Sequence, residues 1–218
     1  MITADWTRRG EGIAAPAEYI TEAAGTSFTL HEPLAALTGL FVPGPTELLG
    51  YNRAAHVTVK DGIATVDNDP DNAGMQHPEP GVLLAGTTVA DVVADDTTSV
   101  VLPMRQLFRK IESEVVVTEG DPRRITGIEA RLLGVAASID LRTGEVTGVA
   151  AIVPFPFVRL EGKLVGAVWV PGIIPGTAQR MAMTLTFSDG RTETVETDLS
   201  EMLKDFKCRQ TPSDASYR

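Results

Sequence analysis

Two Asp-Gly pairs constrain this chain more than any other feature, because each one joins two short segments of β-strand character. Asp-Gly favours a tight turn whose twist matches that of paired antiparallel strands. The first pair lies between residues 56–60 and 63–66, and the second lies between residues 181–187 and 192–197. The spacing therefore predicts two β-hairpins, one in each half of the chain.

Alternation of apolar and polar residues predicts further strands. At the N-terminus Ile2, Ala4 and Trp6 alternate with polar residues, which is the two-residue period of a half-buried strand. Two other segments have strand character: residues 46–51 and 164–170. Residues 104–118 are expected to form one long strand with a phase break near Arg105. Many short strands without strand–helix alternation indicate a mainly β fold of antiparallel β-sandwiches.

A polar break separates two strand-rich halves of the chain. Residues 95–98 read Asp-Asp-Thr-Thr, and they interrupt the apolar pattern on either side. A length of 218 residues is enough for two small domains. The sequence therefore predicts two tandem sandwich domains joined near residues 95–99. The expected ranges are 1–96 for the first domain, 97–206 for the second and 207–218 for a polar tail.

The second half also contains one predicted helix. Asp198 and Glu201 have the spacing of a capping box. The apolar residues that follow Asp198 repeat at helical spacing and share one face: Leu199, Met202, Leu203 and Phe206. We expect this short helix to pack against the second domain and to bury Leu203 and Phe206.

Charge and composition restrict the classes of partner. The formal net charge is −10 at pH 7, and no run of Lys and Arg interrupts the acidity. Such a surface repels the phosphates of nucleic acid, which argues against a nucleic-acid partner. The single cysteine, Cys208, can form neither an internal disulfide nor a cysteine-based metal site. No apolar stretch approaches the ~20 residues of a membrane-spanning helix, and no signal peptide is visible.

Motifs for catalysis and for cofactor binding are absent from the sequence. It contains no G-x-S-x-G nucleophile motif and no glycine-rich phosphate loop. Its three histidines, His31, His56 and His77, lack a second histidine at the spacing of metal ligands. We therefore expect no catalytic residue and no cofactor.

One cluster of carboxylates has the beginning of a calcium-loop pattern. Asp67, Asp69 and Asp71 alternate with Asn and Pro, and alternate carboxylates are oxygen ligands of the kind that Ca²⁺ prefers. Pro70 stiffens the segment, however, and Pro78 stands where a calcium loop has its bidentate glutamate. The favoured interpretation is a solvated turn in which Asp and Asn side chains accept hydrogen bonds from backbone amides.

Three segments carry a resemblance to a known family. They are ITADWTRRG at the N-terminus, VVLPMRQLFRKIESEVVVTEGDPRRITGIEARLLGVAASIDLRTGEVTG at residues 100–148, and FSDGRTETVETDLSEMLKDF at residues 187–206. In these strands and turns the chain resembles the fimbrillin-like family of minor fimbrial subunits and anchors (the FimB type). The resemblance covers most of the chain and is weakest over residues 7–42.

The resemblance implies both a fold and a role. It implies an exported lipoprotein of Gram-negative gut and oral bacteria with two transthyretin-like β-sandwich domains. Such a protein is a non-catalytic structural subunit, serving as anchor, tip or accessory subunit of a fimbria at the cell surface and outer membrane. The expected partners are other fimbrial subunits that join by strand addition, with a host or glycan ligand as a further partner.

The chain departs from the family at both ends. The signal peptide and the lipid-accepting cysteine do not stand at its N-terminus, so we expect membrane attachment only through a lipid anchor that this chain lacks. The family continues into further strands where this chain reads KCRQTPSDASYR. The second domain is therefore expected to expose an unpaired sheet edge or an apolar groove, for which the inward faces of residues 181–187 and 164–170 are the candidates.

Two other classes of function remain open. A surface glycan-binding sandwich displays exposed aromatic side chains, whereas Trp6 and Trp169 both lie in apolar strand patterns that are typical of a core. A secreted β-sandwich enzyme requires a convergent polar pocket with perturbed carboxylates. The sequence contains no sign of such a pocket.

Overall fold

The computed structural model describes residues 1–39, 41–160 and 162–206. Within these ranges the chain forms sixteen strands, a 3-10 turn at Pro122–Arg124 and one four-residue helix, so the predicted mainly β fold is confirmed. The strands are β1 Ile2–Arg8, β2 Tyr19–Ala23, β3 Thr26–Leu30, β4 Leu34–Ala35, β5 Gly44–Tyr51, β6 Val57–Lys60, β7 Ile63–Val66, β8 Leu84–Val92, β9 Val100–Gln106, β10 Arg109–Val115, β11 Ile125–Asp140, β12 Val146–Pro154, β13 Phe157–Leu160, β14 Lys163–Val170, β15 Arg180–Phe187 and β16 Thr192–Asp198.

These strands form three sheets. The first sheet has the order β3-β2-β5-β8-β9-β1-β4, and the third has the order β10-β14-β13. The second sheet has the order β16-β15-β11-β7-β6, with β12 paired to β11. β1 lies parallel to β9 and antiparallel to β4, which places the N-terminal strand inside the first sheet.

Both predicted hairpins are confirmed, and they use different turns. Asp61 and Gly62 both have positive φ, at 54° and 78°, which is the two-residue turn that matches strand twist. At the second hairpin only Gly190 has positive φ, at 83°. There the amide of Phe187 donates to the carbonyl of Arg191 at 2.8 Å, so residues 188–190 form a three-residue loop that ends in glycine.

The strand pairing crosses the boundary predicted at residues 96 and 97. β9 lies beyond that point and still belongs to the first sheet, between β8 and β1. The β6–β7 hairpin lies before it and pairs with β11 of the second sheet, where Ala64 faces Ile139. The polar residues 95–99 connect β8 to β9, and the amino group of Met1 donates to the carbonyl of Thr98 at 2.6 Å. The sheets are therefore not divided at this segment, because it is a turn between paired strands.

A hydrophobic core in the middle of the molecule receives side chains from both halves of the sequence. Its fully buried members include Leu49 and Leu83 from the first half, and Phe108, Ile139 and Leu141 from the second. Two further cores lie on either side, one under the first sheet and one between the second and third sheets. Trp6 is buried in the first core, and Trp169 is half-buried against the middle one. The middle core joins the two halves into one packed structure.

The single long strand predicted at residues 104–118 is wrong. The segment contains β9 and β10, which belong to different sheets. The break falls at Leu107 and Phe108, just after the predicted phase break near Arg105, and both side chains are fully buried in the middle core. Two consecutive apolar residues point into the same core here, because the chain leaves one sheet and enters another.

The predicted helix is shorter and more exposed than its pattern indicates. Helix α1 is Ser200–Leu203, and Asp198 accepts a hydrogen bond from the amide of Ser200 at 2.8 Å. Leu203 and Phe206 are only half-buried against the third core, and Met202 is 80% exposed. The expectation of a buried apolar face is therefore wrong, because the helix is only four residues long and Phe206 lies beyond its end. No helix in the described part of the chain is long and apolar enough to span a membrane.

Candidate assembly interface

The three aspartates of the calcium pattern lie in a hydrogen-bonded turn. The carboxylate of Asp67 accepts from the hydroxyl of Thr58 at 2.8 Å. Asp69 accepts from the side-chain amide of Asn72 at 2.9 Å and from the backbone amide of Asp71 at 3.0 Å. The hydrogen bond from Asn72, followed by the one from Asp71, lowers the pKa of Asp69 below its ordinary value. These contacts support the turn interpretation, since the oxygens of Asp69 already have donors.

Two of the histidines lie against each other. The rings of His56 and His77 stack with centroids 3.5 Å apart and an interplanar angle of 11°. The backbone amide of Glu79 donates to Nδ1 of His77 at 3.1 Å, which fixes the position of this ring. Among residues 1–39, 41–160 and 162–206, no group of three or more His, Cys, Asp or Glu side chains is placed to hold a metal ion. The stacked rings of His56 and His77 join the loop after β7 to the residue that precedes β6.

A polar cleft lies where the β2–β3 and β6–β7 hairpins approach the loop after β11. Its volume is about 590 Å³, and its lining includes Glu22, Glu47, Asp61 and Arg142. Arg142 donates to the carboxylate of Glu47 at 3.1 Å and to the backbone carbonyl of Asp61 at 3.3 Å. Tyr51 donates to Glu22 at 2.8 Å, and burial together with this carboxylate raises the pKa of Tyr51 to about 12. The side chain of Arg142 thus ties the second half of the sequence to the first.

Neither segment predicted to be an open edge is one. β15, which contains residues 181–187, pairs with β11 on one side and with β16 on the other. β14, which contains residues 164–170, lies between β10 and β13. Met181 and Met183 are accordingly buried. The prediction of an unpaired edge at these strands is therefore wrong, because each of them has a hydrogen-bonded neighbour on both sides.

β16 is an open edge of the second sheet. All seven of its residues are exposed, and in the described ranges it pairs only with β15. Two hydrogen bonds show which residues of this strand bond to β15. The amide of Phe187 donates to the carbonyl of Arg191, and the amide of Leu199 donates to the carbonyl of Gln179. In an antiparallel ladder alternate residues direct their backbone groups to opposite sides. The amides and carbonyls of Thr192, Thr194 and Glu196 therefore point away from β15, toward solvent.

Carboxylates on β16 have few partners. Asp198 lies opposite Arg180 on β15, and hydrogen bonds from Ser200, then the charge of Arg180, lower the pKa of Asp198. Glu193 and Glu196 form no ion pair with any residue that the structure describes. They lie on opposite faces of the strand, opposite Leu185 and Ala182 of β15. The open edge therefore presents one unpaired carboxylate on each face.

Three other edge strands, β10, β13 and β3, carry carboxylates that are already engaged or carry none. On β10, Glu112 pairs with Lys110 at 2.6 Å and Glu114 pairs with Lys163 at 2.9 Å. On β13, the guanidinium of Arg159 donates to the backbone carbonyl of Pro122 at 2.8 Å and to that of Ile125, the first residue of β11, at 2.6 Å. The edge strand β3 contains no charged residue. Among these edges, β16 differs in being fully exposed and in carrying only acidic charges.

The fold and this edge together define the class of the protein: it is a β-protein of several sheets with an exposed edge strand. No family model and no curated protein matches the sequence. Solved structures do match: a candidate adhesin of Bacteroides ovatus has a TM-score of 0.72 at 11% identity, over 97% of this chain and 86% of that one. The fimbrial anchor protein Mfa2 of Porphyromonas gingivalis has a TM-score of 0.60 at 11% identity, over 95% of this chain and 84% of that one.

A third solved structure has a similar fold. A candidate adhesin of Bacteroides thetaiotaomicron has a TM-score of 0.56 at 10% identity, over 93% of this chain and 80% of that one. The likeness to fimbrial proteins that the sequence resemblance indicated is confirmed at the level of the fold. In each comparison the likeness covers nearly the whole chain, so it includes all three sheets.

Proposed function

We propose that this chain is a non-catalytic structural subunit of a bacterial surface fimbria, in an anchor, tip or accessory position. The observation that carries the proposal is the fold, which is shared with a fimbrial anchor protein and with candidate adhesins over more than nine-tenths of the chain. The open strand β16 supplies a physical means of joining a neighbour. The proposal includes a location at the outer surface of the cell and attachment to the membrane through a lipid anchor.

Strand addition is the proposed mode of assembly. An unpaired edge strand presents amides and carbonyls that a strand from another subunit can satisfy, and main-chain hydrogen bonds then supply the affinity. On β16 these groups belong to Thr192, Thr194 and Glu196. The division into two transthyretin-like domains stays a prediction. A substitution in the middle core, to which both halves contribute side chains, tests it.

The two other classes of function find less support. A glycan platform requires exposed aromatic side chains, and the exposed large hydrophobic residues in the described ranges are valine, leucine and methionine. An enzyme requires perturbed titratable groups that converge in a pocket. The pKa shifts of Asp69 and Asp198 are explained by turn and cap hydrogen bonds, and the one of Tyr51 by burial and Glu22.

The experiment is to follow the chain in its source bacterium. Fimbriae sheared from the cells are purified, and the chain is detected in them with a specific antibody. We expect it to co-purify with the fimbriae and to be labelled at the surface of intact cells. Thr194→Pro removes an outward amide of β16 and should reduce incorporation, while Thr194→Val keeps the amide and serves as the control. Recovery of the chain only from the cell interior would contradict the proposed function.

A further inference from the structure

We infer that β16 is an acceptor for a basic strand, in which two Lys or Arg residues stand three positions apart, and that the same edge rejects a second copy of this chain. The inference rests on the proposed function and names the chemistry of the partner. It follows from the unpaired carboxylates of Glu193 and Glu196 beside a row of open backbone groups.

The spacing of the basic residues follows from the register of β16. Residues directly opposite each other on neighbouring strands have side chains on the same face, about 4.5–5.5 Å apart at Cβ. Glu193 and Glu196 are three positions apart and lie on opposite faces. A strand added antiparallel to β16 therefore places one basic residue opposite Glu196 and the other, three positions later, opposite Glu193. Each pair is a cross-strand ion pair of the kind that stabilises a sheet.

The two positions between the basic residues have their own requirement. They face Val195 and Thr194 of β16. Val195 is 43% exposed, and it lies on the same face as the buried Met183 of β15. A β-branched apolar residue opposite Val195 would extend the apolar surface of Met183 outward and remove it from water. The complementary motif is therefore Lys-Val-Thr-Lys, read antiparallel to β16.

A second copy of this chain is a poor partner for the same edge. Two β16 strands in antiparallel register would bring four unpaired glutamates to one ladder, and like charges placed opposite each other are destabilising. The whole chain carries a formal charge of −10, which adds a longer-range repulsion between copies. Acidic side chains on an edge strand thus discourage self-association, and the same carboxylates select a basic strand.

The test is a titration of the isolated, ¹⁵N-labelled chain with short peptides, followed by NMR. The peptide Thr-Lys-Val-Thr-Lys-Val-Thr is compared with a matched peptide in which Glu replaces both Lys residues. We expect the basic peptide to bind at least about tenfold more tightly, because two attractive pairs become repulsive. The amide signals that shift should centre on Thr194 and Glu196. Binding should weaken as salt is raised, since the carboxylates are exposed.

A modified peptide and a variant of the chain distinguish strand addition from ionic attraction alone. Methylation of the backbone nitrogens on the pairing side of the peptide keeps its charge and should abolish binding. The exchange Glu193→Lys with Glu196→Lys should reverse the preference in favour of the acidic peptide, and exposure of both side chains predicts that the fold is kept. Equal binding of both peptides, binding that survives methylation, or no binding up to about 1 mM would each overturn the inference. The result is read on the isolated chain, so it is independent of whether the chain is found in fimbriae.

Discussion

The substitution Phe108→Ala tests whether the two halves of this protein unfold as one. Phe108 is fully buried in the middle core, among side chains from both halves of the sequence. Removing a buried phenylalanine ring costs about 3–5 kcal/mol, from lost transfer energy and from the cavity that remains. With an m-value of ~2–3 kcal/mol/M in urea, the midpoint should fall by about 1–2 M.

The chain contains two tryptophans that report on different cores. Trp6 is buried in the first core, and Trp169 is half-buried against the middle one. In the variants Trp6→Phe and Trp169→Phe, urea unfolding followed by fluorescence reports on one core at a time. We expect Phe108→Ala to shift both transitions by the same amount, because a shared core couples the halves into one cooperative unit.

Two independently unfolding domains would give a different result. If residues 1–96 and 97–206 were independent sandwiches, Phe108→Ala would shift the transition of Trp169 and leave that of Trp6 where it was. Val158→Ala is the control, because this side chain is 64% exposed and its truncation should move neither transition. An unmoved Trp6 transition would refute the argument that the middle core joins the halves.

Three further substitutions and the addition of calcium have defined outcomes. Leu203→Ala should lower the free energy of unfolding in urea by only about 1–2 kcal/mol, since the side chain is half-buried, and a loss near 4 kcal/mol would mean full burial. Glu22→Gln should lower the pKa of Tyr51, measured by NMR of labelled tyrosine rings, and an unchanged pKa would remove Glu22 as a cause. In the unaltered chain the folded state favours the neutral phenol of Tyr51, so the stability should fall as pH rises from 10.0 through about 12. Asp69→Ala should lower the stability at neutral pH, because it removes the acceptor of two hydrogen bonds. Because the pKa of Asp69 is lowered from 3.8, this contribution should disappear as pH falls below that value. Calcium should leave the melting temperature of the unaltered chain unchanged, and an increase would indicate a site at Asp67, Asp69 and Asp71.

The hairpins were predictable because their causes are local. Asp61 and Gly62 adopt positive φ regardless of what lies elsewhere, so the turn and the two strands beside it follow from a few residues. The core positions of Ile2, Ala4 and Trp6 follow in the same way from alternation. The resemblance to fimbrial proteins also came from the order of strands and turns, which local patterns specify.

The division of the sheets was not predictable from local patterns. It depends on the pairing of Ala64 with Ile139, between segments that are far apart in the sequence. The same limit explains the misplaced edge. Residues 181–187 and 192–198 are both strand-like, and only the pairing of β15 with β11 decides which one is central. The acidic residues of β16 were a usable signal, since charge on both faces of a strand is typical of an edge.

The pairing of β1 with β9 has a consequence for the order in which the chain is made. The two partners that begin this contact, Met1 and Thr98, are 97 positions apart. At a synthesis rate of about 5–20 residues per second, the first strand waits roughly 5–20 s before the segment that completes its pairing has been made. During that time β1 can pair only with the two-residue strand β4, so Ile2, Ala4 and Trp6 lack most of the sheet to which they belong. The first sheet is therefore completed only after β9 has been made.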